Sequence, residues 1–198
     1  MSRLTRISPE NWDPELRKLC AADTSTTPVE LGPMSLFANC PEIAKGLAHF
    51  GMALRASRTL PERLFELVRL RIAFHNQCRS CMAIRYRNAV DDGLDENLVC
   101  SLEKPSEAPD LTEAERTALA YADRFANDHL SIDDSTYDGL RVHFSERQIV
   151  ELGSWIAFCV GFGRLMASWH MVEDLPVAFQ ASQNQTIRPS SGTPVTVR

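Results

Sequence analysis

Apolar side chains in this chain recur at three- and four-residue steps and nowhere alternate, which limits it to helices packed on helices. Ile43, Leu47, Phe50 and Leu54 form one stripe, behind a Pro41-Glu42 start suited to a first helical turn. Leu64, Leu67, Val68 and Ile72 form a second after Leu60-Pro61-Glu62, and Asn76 breaks it. A third helix is predicted from Cys78 to about Asp92, ended by Gly93, which suits the left-handed C-terminal position. A short helix over 95–102 and a proline-bearing link at 104–110 follow. Thr112-Glu113-Ala114-Glu115 and Ser145-Glu146-Arg147-Gln148 read as capping boxes, opening helices that run to about Asn127 and Met171. Another short helix fills 133–143. The expected fold is an all-α bundle of about six to eight helices over residues 41–176. An irregular arm, 1–40, precedes it, with one short helix near 14–21. A polar tail, 177–198, follows, which only a partner subunit would order.

The chain can bury a real core without disulfides or metal. With 198 residues, the usual surface scaling gives ~9,400 Å² exposed when folded against ~32,000 Å² unfolded. Apolar residues are 44% and charged residues 24% of the sequence, with 9 glycines and 11 prolines, which excludes a disordered or collagenous chain. The 21 basic and 26 acidic side chains sum to −5 and form no concentrated positive field, so nucleic acid is not an expected partner. The longest apolar stretch, 155–163, is half a membrane span at most and reads as a buried helix segment, so no membrane partner is expected. No apolar segment of signal-peptide type follows the basic N-terminus, and the six cysteines are expected to be reduced thiols in a cytoplasmic protein.

The sharpest local feature is Cys78-Arg79-Ser80-Cys81. On a helix its sulfurs share one face, a turn apart. If Cys78 opens that helix, unpaired backbone N–H groups favour its thiolate, the reactive form. Arg79 and Arg85 add positive charge nearby. A metal site built from His75, Cys78 and Cys81, with Cys100 or Glu66 as fourth ligand, is disfavoured because structural zinc normally shows two paired ligand sets. A thioredoxin-type site is disfavoured for want of a preceding strand. Two ordinary half-buried cysteines on a helix remain the bland alternative.

The segment 60–73, followed by Asn76-Gln77-Cys78-Arg79-Ser80-Cys81, resembles the carboxymuconolactone decarboxylase superfamily, and within it the alkylhydroperoxidase D-like (AhpD-like) branch. The resemblance covers roughly residues 36–176. It implies an AhpD-like helical bundle with Cys81 as the peroxidatic thiol, Cys78 as the resolving thiol and Glu66 in a proton relay. It also implies a hydroperoxide substrate, an external dithiol reductant, no cofactor, no metal and a homo-oligomer, trimeric or hexameric. The sequence departs from the family where the relay histidine, four residues after the second cysteine, is Arg85, and where a frequent histidine before that cysteine is Ser80. Arginine cannot act as a base at neutral pH, but it can stabilise a thiolate or pair with Glu66. On this reading Arg85→His is expected to raise turnover.

Other residues carry two readings each. His75 could reach Cys78 and compensate for the missing relay histidine, or be satisfied by a backbone carbonyl. Arg69, Arg71, Arg79, Arg85 and Arg87 line an anion pocket or, the favoured reading, form a solvated salt-bridged face. The run 155–162 is read as core or subunit interface, with Gly161 and Gly163 allowing close helix approach. His170 is read as a core or interface histidine. Two functions compete with the dithiol redox enzyme: a cofactor-free lyase of the decarboxylase type, and a non-catalytic helical redox-sensing scaffold.

Overall fold

The stripe over 64–72 becomes the axis of the molecule. In a computed structural model, which describes residues 2–181 and 184–197, the helix that carries it is buried on almost every side. Eleven α-helical segments are present among the described residues: α1 (Pro14–Leu19), α2 (Pro28–Leu31), α3 (Met34–Phe37), α4 (Pro41–Ala56), α5 (Glu62–Asn76), α6 (Arg79–Ala83), α7 (Arg87–Asp91), α8 (Glu96–Ser101), α9 (Glu113–Asn127), α10 (Asp134–Arg141) and α11 (Glu146–Trp169). Two strands, β1 (Ile84–Tyr86) and β2 (Val195–Val197), complete them. The all-α expectation holds apart from this small sheet.

Helix starts follow the sequence signals closely. Thr112 and Ser145 accept the backbone N–H groups of Glu115 and Gln148, and the Glu115 and Gln148 side chains reach back to the cap residues, so both capping boxes close. Asp95 caps α8 through Leu98 N at 2.8 Å. The main core gathers Leu64, Leu67, Val68 and Ile72 of α5 with Leu119 and Ala122 of α9 and Leu152 and Ile156 of α11. Gly163 in α11 leaves room for the Asn76 side chain: a β-carbon there would lie 2.5 Å from Asn76 Nδ2, which donates to Cys159 O at 3.0 Å. Gly161 meets nothing comparable.

The helix expected over 78–92 is instead two short helices separated by β1, which pairs in parallel with β2, with Ile84 opposite Val195 and Tyr86 opposite Val197. The β-branched and aromatic residues Ile84 and Tyr86 suit extended backbone, and the partner strand lies over a hundred residues away, beyond any local pattern.

The same partner changes the account of the tail. Phe179 is fully buried with Ala73, Met82, Val172 and Leu175, and Ile187 joins that cluster. Gln77 and Ile187 exchange two hydrogen bonds of 3.1 and 3.0 Å, and Arg79 donates to Gln185 O. This segment folds back as a strap over the cysteine pair within one chain; residues 182, 183 and 198 of the expected tail lie outside the described residues. The arm also packs: Trp12, Leu16 and Ala38 form a small core against Ala44 of α4.

A strap held by its own core makes a measurable difference. Phe179→Ala should lower stability by about 3–5 kcal/mol in urea unfolding, whereas Val177→Ala, at a site 84% exposed, should stay within about 0.5 kcal/mol. Equal, negligible effects at both positions would mean an unpacked tail.

Candidate active site

Helix α5 ends at Asn76, and Gln77 takes a left-handed conformation at φ 49° that turns the chain sharply. The turn places Cys78 at the N-cap of the five-residue α6, so the two sulfurs lie one turn apart and are bonded, with Cα atoms 5.2 Å apart. Cys78 is fully buried, and Cys81 is partly exposed. Cys20, Cys40, Cys100 and Cys159 are unbonded thiols.

Glu66 lies ten residues before the end of α5 and is 3% exposed. Its carboxylate accepts from Arg69 Nε at 2.6 Å and Nη2 at 2.7 Å, and from the Tyr86 backbone N–H at 3.2 Å. Arg69 also donates to Cys81 O and, at 3.0 Å, to Ile84 O. One buried ion pair therefore ties α5 to both ends of the segment that carries Cys81. Burial alone would lower the Arg69 pKa, but the charge and hydrogen bonds of Glu66 outweigh it and hold the guanidinium charged. The Tyr86 ring lies 5.1 Å from that guanidinium, and burial pushes its phenol above the usual range.

Cys81, Glu66, Arg69 and Tyr86 all line one cavity of about 700 Å³. Trp155, Phe158 and Phe162, one turn apart on α11, make an aromatic wall of the same cavity, continued by Phe65 of α5. Trp155 stacks on Phe158 at 5.7 Å and on Phe65 at 5.3 Å, and its ring N–H donates to Phe65 O at 2.9 Å. Cys159 also reaches the cavity, where burial pushes its thiol far above the range in which a thiolate forms.

The two auxiliary candidates go elsewhere. His75 Nε2 pairs with Asp123 at 2.7 Å, which also takes Arg71 at 2.7 and 2.9 Å. Burial raises the Asp123 pKa, but these bonds outweigh it and hold the carboxyl below its ordinary range. His75 thus serves α9, not Cys78, and does not line the cavity. Arg85 is 2% exposed and pairs with Glu96, not Glu66. Its five N–H donors go to Glu96 twice, at 2.9 and 3.0 Å, and to the carbonyls of Met82, Ile84 and Pro189. The arginines are not a solvated face either: Arg69, Arg79 and Arg85 are buried and Arg71 is tied to Asp123. Only Arg87 of the five is exposed. Among the described residues no group of three His, Cys, Asp or Glu is placed to hold a metal ion.

Residues 41–124 match the sequence model of the carboxymuconolactone decarboxylase family. The chain is similar to that family over this segment, from the start of α4 to near the end of α9. Its AhpD-like fold is shared by the alkylhydroperoxidase AhpD core protein of Ralstonia eutropha JMP134, with a TM-score of 0.70 and 16% identity over 90% of this chain and 94% of that one. ATU0492 of Agrobacterium tumefaciens, an AhpD-type protein, is similar at a TM-score of 0.60 and 24% identity over 72% and 96% of the two chains. The debrominase Bmp8 follows at 0.62 and 18% over 89% and 92%. Uncharacterized protein Rv2313c of Mycobacterium tuberculosis is 33% identical over 123 residues, 61% of this chain and 43% of its own length. The chain thus spans less than half the length of that curated relative.

Of the candidates Glu66, Cys78 and Cys81 that the sequence offers, Glu66 and Cys81 share the cavity, together with Arg69, Tyr86 and an aromatic wall that the sequence does not place there. Arg69 sits one turn after Glu66, the ordinary spacing of an acid–base pair, and that spacing was the available signal. Tyr86 was hidden by the unexpected strand. The aromatic wall was visible as Trp155, Phe158 and Phe162 at helical steps but carried no sign of which side held a cavity.

Substitutions at Glu66, Arg69 and Arg85 test this wiring. Glu66→Gln leaves the Arg69 charge buried and unpaired and should cost about 3–5 kcal/mol in urea unfolding, and the double change with Arg69→Met should cost clearly less than the two single changes added together. Strict additivity would show that the pair is not coupled. Arg85→His should lower stability by about 2–3 kcal/mol by leaving buried carbonyls without donors. Any turnover should not rise, contrary to the expectation from sequence; a faster, equally stable protein would overturn the assignment of Arg85 to the scaffold.

Proposed function

We propose that the protein is a dithiol-dependent peroxidase, with Cys81 as the attacking thiol and Cys78 as the resolving thiol. What carries the reading is the bonded Cys78–Cys81 pair with only Cys81 on the wall of a cavity that also holds Glu66 and Arg69. In the reduced enzyme the Cys81 thiolate attacks the terminal oxygen of a hydroperoxide. The O–O bond breaks, Cys81 becomes a sulfenic acid, and the leaving alkoxide takes a proton to become an alcohol. The Cys78 thiol then displaces the sulfenic oxygen as water and forms the disulfide. An external dithiol returns both sulfurs to thiols and is itself oxidised, so two electrons pass from dithiol to peroxide in each cycle.

Arg69 and Glu66 fix the Cys81 segment, and the cavity supplies a low-dielectric place for the substrate body. Tyr86, whose phenol burial pushes above its usual range, lines the same cavity and is the acid we assign to protonating the leaving alkoxide. The reductant fits a reducing, cytoplasmic setting. Assembly into a homo-oligomer is supported by exposed Ile43 and Phe50 on one face of α4 and exposed Val150 and Leu165 on α11.

Peroxide consumption with dithiothreitol should fall at least about a hundredfold in Cys81→Ser, the scale of losing an activated nucleophile. Cys78→Ser should still react once and leave a sulfenic acid at Cys81 that dimedone traps. Undiminished turnover in Cys81→Ser would end the peroxidase reading.

A further inference from the structure

We propose that the cavity selects a flat, aromatic hydroperoxide carrying a carboxylate, and that Arg55 reads the carboxylate. This rests on the peroxidase reading for the chemistry, and on the cavity alone for the recognition. Its volume of about 700 Å³ lies within the range of small-molecule sites and exceeds what hydrogen peroxide needs. The wall of Phe65, Trp155, Phe158 and Phe162 runs continuously, each ring 4.9–5.7 Å from the next. Arg58 closes one end, its guanidinium carbon 4.1 Å from the Phe65 ring centroid. A planar ring offers such a wall more contact than an alkyl chain does.

The charges around the cavity single out the anion. Glu66 is neutralised by Arg69, Glu62 by Arg58 and Asp174 by Arg6. Glu30 is committed to the capping box of α2. Arg55, at the C-terminal end of α4, has no hydrogen bond or ion pair among the described residues, yet it lines the cavity. Being exposed as well, it stands on the open side, where a ligand enters. Arg58 Nε adds a buried donor with no partner among the described residues. An anion entering here meets the uncommitted guanidinium of Arg55, and every carboxylate on the cavity wall that would repel it is already bonded. In turnover the peroxide group alone reacts: its O–O bond is cleaved by Cys81, the product is the corresponding alcohol, and the carboxylate leaves unchanged.

Binding and turnover are measured separately. Quenching of tryptophan fluorescence, with Trp155 in the wall, reports the binding of 4-isopropylbenzoate and of neutral isopropylbenzene to the oxidised protein. Dithiothreitol-driven turnover compares cumene hydroperoxide with its 4-carboxylate. The carboxylates should be preferred about tenfold in both assays, the scale of one charge-assisted hydrogen bond partly open to water. Arg55→Gln should bring the ratio close to one, and Arg55→Lys should keep part of it. A ratio of one in the wild type, or a ratio untouched by Arg55→Gln, overturns the proposal. A binding preference without any peroxide consumption retains the cavity assignment and ends the peroxidase reading.

Discussion

The ion pair of Glu66 and Arg69 is the interaction on which the rest of the site depends. Two opposite charges on successive turns of the most buried helix would be costly if either stood alone. Each instead reaches past its partner to the next segment, Glu66 to the Tyr86 amide and Arg69 to the carbonyls of Cys81 and Ile84. Those groups belong to a stretch of short helix, strand and short helix that has little helical stability of its own. The pair therefore supplies the backbone partners that the interrupted ladder of α6 leaves open, and it fixes where Cys81 stands against the cavity.

Arg85 acts in parallel on the opposite side. At the position where the resemblance would place a base, the chain has a cation that binds three carbonyls and Glu96, one of those carbonyls in the strap. A histidine has two ring nitrogens and could not span that set. The departure from the family pattern thus gives the position a different role. It holds structure, tying Met82, Ile84, Glu96 and Pro189 together.

Much of this architecture was legible in the sequence because it depends on local periodicity. The stripes of α4 and α5, the capping boxes of α9 and α11 and the cysteine spacing all express contacts within a turn or two. What escaped was non-local. Ile84 and Tyr86 pair with residues near 196, His75 meets Asp123, and Arg85 meets Pro189, and no window of the sequence joins those positions. Polar partners inside α5 escaped for another reason. Arginines spaced along a helix normally mark its wet face, and here the helix has almost no wet face.

The parallel pairing of Ile84 with Val195 also sets an order of events during synthesis. The two residues are 111 positions apart (195 − 84), so at about 5–20 residues per second the ribosome takes roughly 5–20 s to deliver the second after the first. Through that interval α5 and the cysteine turn exist without the strap that packs against Cys81 and bonds to Gln77 and Arg79 in the folded chain. The thiols of a nascent chain therefore meet the redox poise of the cell before the folded protein decides which of them remains accessible.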